Sequence, residues 1–250
     1  MSSIVEQYTK EIFSERRYWA TWEPNVHLTL GTCGPVVRGI FRPEGHLKDY
    51  NIAFNVERDP TPSDVDYSSR KGLQTTFQAK AGVNTIPNIP QGTAGMRIEF
   101  ARDEAAVVAT KGSRENRIAD QNDLRRRVLQ SSKQDNGIPA DWFVITHLVK
   151  CESASVIIAE GSGAVFEISG KADFVAGVAD LANAKLDIAI KSYRNVGYKM
   201  IAQEGATPLF RGIRLKRTFW GNQRLETLGP ETSGAALIPI FEEITPENAF

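Results

Sequence analysis

"VFEISGKADFVAGVADLANAKLDIAIKS", Val165 to Ser192, keeps one pattern for its whole length. From Phe166 to Ile190 the even positions read Phe, Ile, Gly, Ala, Phe, Ala, Val, Asp, Ala, Ala, Leu, Ile and Ile. The odd positions include Glu167, Lys171, Asp173, Lys185 and Asp187. A period of two marks a strand with one face in an apolar layer and the other in water. A three-residue turn at Leu181, Ala182 and Asn183 preserves face parity, with Asn183 in the left-handed position such turns favour. The predicted register then puts Val178 opposite Leu186, Ala176 opposite Ile188 and Phe174 opposite Ile190, with Asp173 meeting Lys191 on the other face. A helical reading competes, because Phe174, Val178 and Leu181 also fit a 3.6-residue period and "VADLANAK" has high helix propensity.

Each arm of that hairpin exceeds the ~9 to 11 residues a membrane-crossing strand needs, and its alternation suits a barrel strand. A half-buried hairpin covered by helices in a soluble core alternates in the same way. The residues on either side bear on the choice. Between Tyr193 and Arg224 lie seven basic residues, Arg211, Arg214, Lys216 and Arg217 among them, against Glu204 alone. From Leu225 to Phe250 there is no Lys or Arg but five glutamates, including Glu231, Glu242 and Glu243. An acidic tail tethered beside a basic face has a high effective concentration there and can mask a site for an anionic partner. A solvated strand edge followed by an inert tail is the plainer reading. The apolar run "ALIPIFEEI", with Phe241, argues that the tail packs.

Toward the N-terminus, residues 2 to 18 place Ile4, Val5, Tyr8, Ile12 and Phe13 on one stripe, an amphipathic helix that Ser2 or Ser3 can cap. Tyr18, Trp19 and Trp22 follow Arg16 and Arg17; they can rest at a lipid interface or pin the helix to a sheet. "HLTLGTCGPVVRGIF" reads as short strands broken by glycine and proline. Residues 59–72 and 83–95 are rich in breakers and read as loops. "GMRIEFARDEAAVVATKG" and "FVITHLVKCESASVIIAE" each read as a hairpin. Between them, Leu124, Val128 and Leu129 alternate with Arg125, Arg126 and Arg127 in a short basic helix that Asp120 or Asp123 can cap.

With 250 residues, 41% of them hydrophobic, and zero formal charge, the chain is expected to be globular with no general drive toward nucleic acid. We expect one domain, with a sheet-and-helix core over 1–224 and an acidic tail over 225–250. The first thirty residues carry charges throughout and no window reaches ~18 apolar residues, so no secretory signal or spanning helix is expected, and a cytoplasmic location is. Two cysteines, Cys33 and Cys151, fit free thiols. The histidines His27, His46 and His147 are too scattered for zinc spacing, so neither metal nor cofactor is expected. Cys33 with His147 is the one thiolate pair the sequence offers an enzyme; the expectation is a chain without enzymatic chemistry.

The order of parts is informative as a whole. An N-terminal amphipathic helix, then "HLTLGTCGPVVRGIF" with its "LTLG", a looped meander, "DWFVITHLVKCESASVIIAE" and the long alternating segment together resemble the pore-forming domain of gasdermins. That resemblance implies an α+β fold: a twisted antiparallel β-sheet with long hairpins, covered by the N-terminal helix and short basic helices. It also implies a masking segment that an activating protease removes, after which hairpins insert into anionic membrane lipids and the protein relocates there as a homo-oligomer. Lys10, Arg16, Arg17 and Arg125 to Arg127 would bind lipid head groups, joined by the basic residues Arg211, Arg214, Lys216 and Arg217. Phe174, Ala176, Val178, Leu186, Ile188 and Ile190 would insert, and Glu231, Phe241, Glu242 and Glu243 would lie in the brake. The rival readings are a scaffold protein that uses the long hairpin as a β-rich assembly interface, and a cysteine-dependent enzyme.

Overall fold

In a computed structural model the described residues are 4–22, 26–37, 39–68, 73–82, 85–102, 105–170, 177–183, 185, 187–215 and 241–243. The chain opens with helix α1 (Ile4–Arg16), whose Tyr8, Ile12 and Phe13 are buried as the apolar stripe predicts. Short strands follow: β1 (Trp19–Ala20), β2 (Thr32–Gly34), β3 (Val36–Val37), β4 (Ile40–Phe41) and β5 (Gly45–His46), then the 3-10 helix η1 (Leu47–Tyr50). Trp19 stacks on Phe210 with ring centroids 6.4 Å apart and meets Phe13 edge-on, while Trp22 tilts against Tyr198. The tryptophans therefore pin α1 to the sheet.

The body consists of four chain passes, each running through three sheets. The first pass contains β6 (Val56–Arg58), β7 (Asp66–Ser68) and β8 (Leu73–Gln78); the second, β9 (Ala94–Phe100), β10 (Ala106–Lys111) and β11 (Arg114–Ile118). In the third come β12 (Phe143–Lys150), β13 (Ser153–Ala159) and β14 (Ala164–Gly170), and in the fourth β15 (Ala189–Arg194), β16 (Val196–Glu204) and β17 (Leu209–Leu215). Neighbouring passes pair antiparallel in the same order in every sheet, as β17-β12-β11-β6, β16-β13-β10-β7 and β15-β14-β9-β8. The predicted antiparallel pairing is present, but the arms of the alternating segment are shorter than its pattern suggests, seven residues in β14 and six in β15.

Two expected hairpins are corrected by this topology. β9 and β10 lie in different sheets, as do β12 and β13, so each of those segments is a bend within one pass. The bends fall in two rows. In the first, Gly112 (φ 60°) and Gly205 (φ 65°) take left-handed conformations, and a Cβ on Gly112 would approach the Glu152 carboxylate to 2.5 Å. In the second, Asn195 (φ 52°) does the same. Lateral hydrogen bonds continue through both rows, including Gly205 N–H to the Glu152 carbonyl (2.9 Å) and Glu160 N–H to the Asn195 carbonyl (2.8 Å). Residues 59–72, expected to be a loop, include β7, and the Ser63–Ser113 bridge continues the pairing.

Helix α2 (Gln121–Ser131) joins the second and third passes, and Asp120 caps it by accepting from Asp123 N–H at 2.8 Å. Leu124 and Val128 of α2 enter an apolar cluster with Trp19, Phe143 and Phe210. On the middle sheet, Ala106, Val108, Ala154, Val156 and Ile158 share a cluster with Tyr8 and Ile12 of α1. The alternate residues Val107, Ala109, Ile157 and Ala159 pack in another with Leu181 and Ala182. Cover on both faces explains why every residue of β13 is buried.

Candidate functional site

The alternating segment is where sequence and structure differ most. β14 and β15 do form an antiparallel hairpin, yet Ile190 pairs with Ile168 where Phe174 was expected, and a bulge at Lys191 resets the parity. Between them Gly177–Ala182 is a 3-10 helix, η2, so Val178 occupies a helical turn and has no strand partner. The local helical preference prevailed there. Val178 and Ile188 pack against the middle sheet's cluster, whereas Ile190 is 40% exposed. Phe174, Ala176 and Leu186 lie outside the described residues.

Two serine hydroxyls of β13 hold η2 down. Ser153 Oγ donates to the Ala182 carbonyl, and Ser155 Oγ donates to the Leu181 carbonyl (2.5 Å) while accepting from Ala202 N–H (2.6 Å). These bonds satisfy carbonyls at the end of a helix that is buried on one side. The odd-numbered face also departs from its expected wetness. Glu167 is fully buried, held by Arg97 Nη1 at 2.5 Å and by Asn88 Nδ2.

The outer edges of the third sheet are β8 and β15, each paired on one side only among the described residues. Phe77 of β8 is 42% exposed, and Tyr193 of β15 is 53% exposed beneath Lys199 Nζ. Sequence reasoning missed Phe77, because a single exposed aromatic in a polar strand has no periodic signature.

The C-terminal tail supplies a further strand, β18 (Phe241–Glu243), which pairs with β17 and puts Glu242 opposite Arg214 and Glu243 opposite Ile213. Glu231, Lys216 and Arg217 lie outside the described residues. The other expected head-group cations are dispersed. Lys10 pairs with Glu6 at 2.7 Å, Arg16 donates to the Asp66 carbonyl (2.8 Å), and Arg17 lies over the Phe13 ring. Arg126 and Arg127 both pair with Asp123, and Arg125 is exposed on α2. Arg211 lies 3.9 Å from the Tyr18 ring centroid, and Tyr18 donates to Glu115 at 2.6 Å. Its Nε is buried without a hydrogen-bond partner among the described residues. Among the described residues most of these cations are already engaged by neighbours of their own.

Cys33 is fully buried, and burial, with Asp49 adding to it, pushes its thiol up to about 12. His147 Nδ1 meets Thr146 Oγ1 at 3.0 Å. His46 Nδ1 accepts from Lys48 N–H and its Nε2 donates to the Leu30 carbonyl, an arrangement that fixes a loop. Among the described residues no three His, Cys, Asp or Glu side chains are grouped to hold a metal, and no helix is long and apolar enough to cross a membrane. Compared with models of protein families, with curated proteins and with solved structures, the chain matches none.

Proposed function

We propose that this protein is an autoinhibited, membrane-active protein of the gasdermin-like kind, which assembles through its hairpins once the C-terminal tail is released. The carrying observation is the order of four antiparallel passes, two adjacent hairpins whose outer strands β8 and β15 both present pairing edges. Four strands per molecule is an even number, so β8 of one copy can add to β15 of the next and keep the antiparallel alternation. Repeated around an axis, that contact is heterologous and can close a ring. The connector 171–188 supplies chain for lengthening the second hairpin. Drawing it out requires η2 to leave β13, which breaks the two serine bonds and exposes Leu181, Ala182 and the apolar residues beneath them. A membrane can take up that apolar surface where water would oppose its exposure.

β18 is the proposed brake. It covers the edge of β17 at residues 213–215 and brings acidic residues into register with a basic strand. On this reading the protein is cytoplasmic until cleavage in 225–240 and then moves to anionic membranes. The test uses the full chain with an inserted protease site in that interval, cut after folding and checked by circular dichroism. Dye release from anionic liposomes, weaker from neutral ones and absent before cutting, is the expected result. A cut chain that stays folded, sheds its tail and releases no dye would overturn the proposal. If such a chain instead forms large assemblies in solution, the exposed Phe77, Ile190 and Tyr193 favour the scaffold reading.

A further inference from the structure

A groove of about 830 Å³ opens on one face of β6, β11 and β12, away from η2 and from β18. Its floor follows from register. Arg58 pairs with Asn116 and Asn116 with Leu148, so those three share a face, and Val56 and Lys150 join it two residues along their own strands. The facing wall is the segment 27–30, pinned where Leu28 N–H donates to Thr207 Oγ1 (2.9 Å) and His27 Nδ1 lies 3.0 Å from the Gly205 carbonyl. Ile52 and Phe54 close the other end.

The two ends differ in chemistry. Arg58, Lys150 and His27 lie toward the middle sheet, and Val56, Ile52 and Phe54 lie toward α2. No carboxylate lines the groove among the described residues. Arg58 also borders a smaller cleft with Glu57, Asp59 and Glu115, none within ion-pair distance of it, and Glu57 is committed to Arg117 at 2.7 Å. Lys48 at the rim and Lys150 likewise have no carboxylate partner among the described residues. This contrasts with Lys10, Arg97, Lys111 and Arg127, which are all paired. An apolar trough of this size with Arg58 and Lys150 toward one end, and Lys48 on the rim beside His46, has the form of a small-molecule site.

We infer that the groove binds a single-chain amphiphile with an anionic head, of the long-chain carboxylate class, with the head at Arg58 and Lys150 and the chain along Val56, Ile52 and Phe54. This site is separate from the membrane proposal and needs no tail release. The test is calorimetric titration of the full, uncut chain with laurate below its micelle concentration and without vesicles, against acetate and dodecyltrimethylammonium. Saturable one-site binding of laurate alone is expected. Arg58→Glu with Lys150→Glu is expected to weaken it at least about tenfold, and Val56→Glu, at the chain end, to weaken it as well. All three positions are exposed, so the variants retain the fold. Equal binding of the cationic amphiphile, unchanged affinity in the charge-reversed variant, or binding only when the chains are presented in vesicles would each overturn the site.

Discussion

At the scale of single residues, the buried ionisable groups set how the fold responds to alkali. Burial pushes the Cys33 and Cys151 thiols up to about 12. It also raises the Tyr8 phenol above its ordinary range, with Tyr198 and Tyr67 adding to the shift. An unfolded chain ionises its thiols near 9.0 while the folded chain keeps their protons, so this stability is complete below pH 9 and falls as pH rises toward 12. Urea titrations at pH 7 to 11 are expected to show that decline; a flat profile would contradict buried thiols. Tyr8 Oη has no hydrogen-bond partner among the described residues, so Tyr8→Phe is expected to stabilise by about 1 kcal/mol at pH 7. Arg97 gives a different test, because its removal leaves Glu167 buried without its cation. Arg97→Ala should cost about 3 kcal/mol by denaturant unfolding, whereas Arg117→Ala, which breaks an exposed pair with Glu57, should change stability by only about 0.5 kcal/mol.

At the scale of elements, η2 is the feature that links fold to proposed activity. It has only six residues and is stabilised by its contacts with β10, β13 and β16. Ser155→Ala removes both the donor to Leu181 and the acceptor for Ala202 N–H. The expected cost is about 1 to 3 kcal/mol, with hydrogen exchange over 177–182 accelerating ahead of the β13 core. Equal acceleration across β13 would mean that η2 and the sheet unfold as one unit. The bends are the other element-scale lesson. "FVITHLVKCESASVIIAE" reads as a hairpin, yet the two residues Cys151 and Glu152 are enough to pass from one sheet to the next without reversing direction.

For the molecule as a whole, the order of the passes decides which edges remain open. β8 and β15 flank the third sheet, and their exposed Phe77 and Ile190 are the natural sites for a gatekeeping charge. Phe77→Lys combined with Ile190→Lys is expected to leave monomer stability within about 0.5 kcal/mol while abolishing assembly after tail release, read by light scattering. Assembly that survives both charges would place the contact elsewhere. The tail belongs to this scale as well, since β18 pairs with a strand at the end of the fourth pass, and its effect comes from position in the completed sheet.

Local physics was enough to place several parts from sequence. The stripe Tyr8–Ile12–Phe13 specified α1, Asp120 and Asp123 were the two caps the sequence offered for the start of α2, and the apolar alternation specified an antiparallel, strand-rich chain. In each case the signal is carried by residues a few positions apart. Other features depend on partners distant in the chain. Glu167 lies on a nominally wet face, yet Arg97 and Asn88 accompany it into the interior. Ile190 pairs with Ile168 because η2 takes up chain that the uniform alternation had assigned to strand. The groove between 27–30 and β12 likewise gathers residues from six separate stretches of sequence. Period and capping are local properties and can be read in order along the chain; register, edge exposure and cavities arise only when distant segments meet, because their energies belong to pairs that the sequence keeps apart.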